Sequence, residues 1–162
     1  MRPLGNESLA LFSSSYLPRR KVLRQTSTAT TDNTRAKGQG RNYLAANIID
    51  GDSNTYWATD DGQKTAEIIL KWNDAQNVHY VTLMEYIQLG QRVKAFTIET
   101  SMEGSTWTSQ GGDIQTTTIG YKRIIPLNGQ TGTYGSGVDT KYIRIRITDS
   151  KACPTLHTLS VF

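Results

Sequence analysis

A single cysteine, Cys153, stands among 162 residues. An internal disulfide is excluded, and so are a CxxC metal site and a redox pair. Histidine is nearly as scarce, with His79 and His157 alone. A cysteine nucleophile needs a neighbouring base, and "CPTLH", the one place where the two residue types come close, matches no protease signature; Cys153 is read as a buried, inert thiol. No apolar run approaches the roughly 20 residues of a membrane-spanning helix; runs such as Ile68 to Leu70 are far too short. A signal-peptide core is missing too, because Ser13, Ser14, Ser15 and Pro18 interrupt the N-terminal stretch. A basic bias is absent from the body of the chain. The formal charge of +4 comes from residues 1–24, where Arg2, Arg19, Arg20, Lys21 and Arg24 face Glu7 alone, while the other 13 basic and 13 acidic groups cancel. The folded part has no charge excess with which to track a phosphate backbone, so no nucleic-acid partner is expected.

What is present is an alternation of apolar and polar residues, bounded by Gly, Asp, Asn and Ser, from about residue 65 onward. In "KYIRIRITD", Ile143, Ile145 and Ile147 share one face while Arg144, Arg146 and Thr148 share the other. "VKAFTIETS" turns Phe96 and Ile98 inward, and "TAEIILKW", "VHYVTLMEY", "YKRIIPL" and "HTLSVF" complete at least six strands. That many short strands in a chain of single-domain length predict an all-β sandwich or jelly roll. A short helical turn is expected at "NYLAANIIDGD", and a surface loop in the glycine-rich stretch 129–139. Residues 1–20 read as a linker or leader, and residues 21–162 as the folded domain. Trp57, Trp72 and Trp107 are read as core aromatics, and Asp60 and Asp61 as a solvated turn.

Four motifs carry a family resemblance that extends over roughly residues 22–162: "AANIIDGDSNTYWATDD", "EYIQLGQRVKAFTIETS", "TTIGYKRI" and "YIRIRITDSKACPT". The chain resembles the discoidin domain, also called the coagulation factor V/VIII type C domain. It is most similar to the discoidin-like domain that follows the catalytic barrel of many family 29 α-L-fucosidases, and it is also like family 32 carbohydrate-binding modules. The resemblance implies a discoidin-type jelly-roll β-sandwich of about eight strands. It further implies an extracellular or periplasmic parent glycosidase whose chemistry lies outside this segment. A retaining glycosidase needs two carboxyl groups roughly 5 to 5.5 Å apart, and no such pair can be picked out here. The domain is therefore expected to be non-catalytic and, by itself, a monomer.

The resemblance also assigns roles to residues. In sugar-binding discoidin domains a structural Ca²⁺ is often held by a turn like "DGDSNT", which carries over to the Asn47 carbonyl, Asp50, Asp52 and Thr55, with the His157 carbonyl and Thr158 closing the set. Thr158 stands where a glutamate is expected, which lowers the charge count of the site. Two readings stay open, a cation site or a turn that the aspartates merely cap. Sugar recognition calls for an aromatic face and for charged or amide groups. Three loops offer them: Glu85, Tyr86, Gln88 and Arg92 in "EYIQLGQR", Tyr121 and Arg123 in "GYKR", and Asn33 and Arg35 in "DNTR". The implied partners are a fucose- or galactose-containing glycan and the parent's catalytic domain. Membrane binding is not expected, because the loop "DNTRAKGQGRNY" lacks the apolar spikes of the blood-clotting relatives.

Overall fold

The structure, a computed structural model, describes residues 27–110, 118–127 and 136–162. The expected leader, residues 1–20, and positions 129–135 of the glycine-rich stretch lie outside the described residues. Among the described residues nine strands form where about eight were expected: β1 (Thr28–Thr31), β2 (Trp57–Ala58), β3 (Ala66–Val78), β4 (Tyr80–Glu85), β5 (Val93–Ser101), β6 (Thr108–Gln110), β7 (Arg123–Pro126), β8 (Val138–Ser150) and β9 (Thr155–Val161). Strands β1 and β2 are too short to show a period in the sequence. The expected helical turn is a 3₁₀ turn over Ala45–Ile48.

Two antiparallel sheets result, one in the order β1-β3-β8-β5-β6 and the other β2-β9-β4-β7. The alternation read from the sequence decides which side of each strand faces inward. Ile143, Ile145 and Ile147 on β8 sit beside Ile68 and Leu70 on β3 and Phe96 and Ile98 on β5, all buried. Opposite them stand Val81 and Leu83 of β4, Leu159 and Val161 of β9, and Ile125 of β7. Each such side chain contributes about 1.5–3 kcal/mol when taken out of water.

The outward faces differ. On the five-stranded sheet Arg144 Nε donates to Glu99 at 2.6 Å, lies 3.7 Å from Glu67 through Nη1, and sits 4.3 Å over the Trp107 ring. Trp107 meets Tyr142 edge-on, so the expectation that it belongs to the core is corrected: it lies half-buried on this outer face. The other two tryptophans do lie in the core, Trp72 at 2 % and Trp57 at 0 % exposure. β2 seats Trp57 by pairing with Leu156, and the indole N–H donates to the Asn33 carbonyl at 3.0 Å. One side chain thereby closes the end of the core and tethers the loop after β1.

Trp57→Phe keeps most of the apolar volume but removes that donor. It is expected to cost about 1–2 kcal/mol in urea unfolding, against about 3–5 kcal/mol for Trp57→Ala. A Phe variant as stable as the parent would show that the tether contributes nothing.

Candidate functional site

Because every ladder is antiparallel, the segments after β1, β2, β4 and β8 emerge at one end of the sandwich, where the lead-in to β7 also begins. Backbone hydrogen bonds stitch them together: Arg35 N–H to the Ala58 carbonyl (2.8 Å), Lys151 N–H to Arg92 (2.8 Å), Glu85 N–H to Gly120 (3.0 Å) and Tyr86 N–H to Thr155 (3.4 Å). Loops with little regular structure are thus held from several sides.

Glu85 sits at the centre of this stitching. Its carboxylate is 1 % exposed. Oε1 accepts the backbone N–H of Arg92 at 2.7 Å and of Val93 at 2.8 Å, and Oε2 accepts that of Gly120 at 2.7 Å. The expected place of Glu85 as a hydrogen-bonding group on the rim is therefore corrected. A carboxylate at the end of a strand reads as a loop charge, but this one continues the inward alternation of Val81 and Leu83 and braces the loops from beneath.

Above that brace, Arg35 and Arg92 come together on a cleft of about 400 Å³. The Arg35 guanidinium meets both oxygens of Asp61, at 2.7 and 2.9 Å, and lies 5.7 Å from the Tyr43 ring centre. Its pKa is raised, first by the hydrogen bond it donates to Asp61. Arg92 donates from Nε to the Leu89 carbonyl at 3.2 Å and from Nη1 to the Cys153 carbonyl at 2.8 Å and to its Sγ at 2.9 Å. The buried rings of Tyr43 and Tyr56 and the exposed side chain of Leu89 complete the cleft. An exposed ion pair contributes little stability, but a two-point pairing fixes direction: Arg35 and Asp61 present a donor and an acceptor side by side.

The other expected contacts divide. Asn33 stands behind this pair, its Oδ1 accepting the Asp60 N–H at 2.8 Å and its Nδ2 donating to Asp60 at 3.4 Å. Asp60 and Asp61 are exposed as expected, yet each pairs with the loop after β1. Tyr86 is buried, stacked on Tyr56 with ring centres 4.2 Å apart, and its hydroxyl donates to Gln88 at 2.9 Å. Its expected open stacking face is corrected, since Tyr56 covers it. Tyr121 is 71 % exposed and Arg123 half-buried, and neither is among the described residues lining the cleft. Tyr43, Tyr56, Leu89 and Cys153 were missed as cleft residues. The one available signal was the run of aromatics between two polar loops.

The acidic turn is held by its own hydrogen bonds. Asp50 Oδ1 accepts the Asp52 N–H at 2.8 Å and its Oδ2 the Thr55 hydroxyl at 2.7 Å; Asp52 Oδ1 accepts the backbone and side-chain N–H of Asn54 at 2.9 and 3.0 Å. Asn47 Nδ2 donates to the Tyr56 and Asn42 carbonyls at 2.9 and 3.2 Å. Thr158 Oγ1 and His157 Nδ1 lie 2.9 Å apart, and burial lowers the His157 pKa. Ca²⁺ takes about six to eight oxygens. Asp50 and Asp52 are the only carboxylates in the expected set, and three of their four oxygens already accept hydrogen bonds from within the turn. These hydrogen bonds close the turn on itself.

Two expectations follow from these geometries. Glu85→Ala leaves three N–H groups unanswered, two of them buried, and should lower unfolding stability by about 3–5 kcal/mol; a loss below about 1 kcal/mol by urea titration would show that the brace contributes little. Chelation with EDTA should leave the thermal midpoint unchanged, whereas Asp50→Ala should cost about 1 kcal/mol. A midpoint that falls with EDTA and recovers with Ca²⁺ would contradict the self-closed turn.

Comparison with known proteins agrees with this architecture. The profile of the F5/8 type C domain matches residues 26–158. Alpha-L-fucosidase 1 of Arabidopsis thaliana is 22% identical over 125 residues, 76% of this chain and 23% of that protein. A family 29 (GH29) fucosidase of Ruminococcus gnavus, solved in complex with fucose, superposes with a TM-score of 0.73 at 26% identity, covering 89% of this chain and 27% of that one. A family 32 carbohydrate-binding module of Clostridium perfringens, solved with GalNAc-β-1,3-galactose, superposes with a TM-score of 0.70 over 88% of this chain and 99% of that one; at 16% identity it shows the fold alone. The chain spans about a quarter of the length of the curated relatives it matches. It is a non-catalytic module of the kind found with family 29 fucosidases, and it belongs to the F5/8 type C, or discoidin, domain family.

Proposed function

We propose that this domain binds a galactose- or fucose-containing glycan on behalf of a fucosidase-like glycoside hydrolase, in the cleft between Arg35 and Arg92. The observation that carries the reading is the pairing of Arg35 with Asp61 beside Tyr43 and Tyr56 at the loop end of the sandwich. A sugar hydroxyl both donates and accepts, so a guanidinium and a carboxylate side by side answer it, and an apolar ring edge answers the C–H side of the sugar. The buried Glu85 brace holds the backbone of Arg92 in place before a ligand arrives, which reduces the ordering cost of binding on that side of the cleft. A glycan ligand also puts the working place of the parent in the extracellular or periplasmic space.

A second reading rests on Ile87 and Leu89, which are 42 % and 43 % exposed on the loop that carries Arg92. Apolar tips beside arginines suit docking on the parent's catalytic domain, a moderately polar contact between domains.

Calorimetric titration of the 162-residue chain with galactose, L-fucose and disaccharides ending in either should give saturable binding. Arg35→Ala should weaken it by about tenfold or more, the worth of hydrogen bonds to a charged group, with the thermal midpoint nearly unchanged. Saturable binding that Arg35→Ala leaves intact would move the ligand off this cleft, and no binding of any of these sugars would favour the docking reading.

A further inference from the structure

We infer that the glycan site has a second compartment on the far side of Tyr56, so that the domain holds at least two consecutive sugar residues. This deepens the carbohydrate-binding reading and rests on it. A second cleft of about 310 Å³ opens beside the first, and Tyr56 lines both. Each lies near the lower end of the roughly 300–1,000 Å³ typical of small-ligand sites. Neither suits a long chain alone, and together they suit a short one.

The ridge between them is a tight turn closed by two backbone hydrogen bonds. Gly38 N–H donates to the Arg41 carbonyl at 3.1 Å and Arg41 N–H to the Gly38 carbonyl at 2.9 Å. Gln39 and Gly40, at its tip, have φ of 53° and 72°. Positive φ at both central residues is the signature of a tight type I′ turn. Gly38 and Gln39 face the first cleft, while Gly40 and Arg41 face the second. A ridge of this form separates two compartments without closing either.

The second cleft has the chemistry of a sugar subsite. Arg41, Asn42 and Asn54 are exposed on its wall. Amides donate and accept, as hydroxyls do. Arg41 Nη1 donates to the Asn54 carbonyl at 3.4 Å, and Tyr86 is the first cause of its raised pKa. A guanidinium carries about five N–H donors, so these contacts do not exhaust it. Asn47 is spent on the carbonyls of Asn42 and Tyr56, which fixes the wall rather than leaving it adaptable. The first cleft is larger and backed by two buried tyrosines, so it takes the terminal sugar, and the second takes the next residue.

The test is the ratio of affinities for a disaccharide and for its own terminal monosaccharide, measured calorimetrically on the 162-residue chain with galactose- and fucose-terminated pairs. The disaccharide is expected to bind about tenfold more tightly, and Arg41→Ala, or Asn42→Ala as a second exposed variant, to bring the ratio near one. A ratio near one in the unmodified chain overturns the extension while leaving the proposed function standing. A ratio unchanged in both variants overturns it as well. No binding of either sugar sinks the carbohydrate reading itself, and the extension with it.

Discussion

The carboxylate of Glu85, buried beneath the loop end of the sandwich, is the contact on which the candidate site depends. Taking a charged carboxylate out of water is costly unless hydrogen bonds replace the lost solvent. Here they come from three backbone N–H groups on two segments, the start of β5 and the lead-in to β7. Backbone donors cannot rotate away as side chains can, so the carboxylate sets where those segments run. Arg92 is one of the residues whose backbone it holds, and from there the side chain reaches the Cys153 carbonyl on the β8–β9 connection. A chain of contacts leads from a strand end in the core to a guanidinium at the surface.

The sandwich beneath is asymmetric. The outer face of the five-stranded sheet carries an ionic network in which Arg144 joins Glu99, Glu67 and the Trp107 ring, and Arg146 also meets Glu67 at 3.1 Å. Those charges answer one another. At the loop end, Arg35 is paired with a single exposed aspartate, and the neighbouring surface sets Arg92 and Arg41 among tyrosine, asparagine and leucine. The chemistry suited to neutral hydroxylated ligands is therefore concentrated at the end of the sandwich rather than on its broad side.

Much of the fold is legible in the sequence. The alternation of Ile143, Ile145 and Ile147 with Arg144 and Arg146 sets both the strand and its buried face, because side chains along a regular stretch of strand alternate. Strands β1 and β2 are not legible, since four and two residues are too few to carry a period. Trp107 is misread because size alone suggests burial, whereas Arg144 offers it a place outside. The site is legible in part. Arg35 and Arg92 do share a cleft, while Glu85 and Tyr86, residues of the same loop motif, turn inward. Whether a polar residue at a strand end faces solvent or core depends on tertiary neighbours such as Gly120 and Tyr56, which a linear reading does not bring together.

The proposed glycan site lies at the loop end, against Arg35, Tyr56 and Arg92. Mapping amide NMR shifts of the chain during titration with a galactose- or fucose-terminated oligosaccharide addresses it directly. The account predicts changes confined to the segments around Arg35, Gly38, Tyr56, Leu89 and Cys153, with Ser101 and Thr108 at the opposite end unmoved. Shifts centred on Trp107 and Tyr142, or none at saturating glycan, would contradict it.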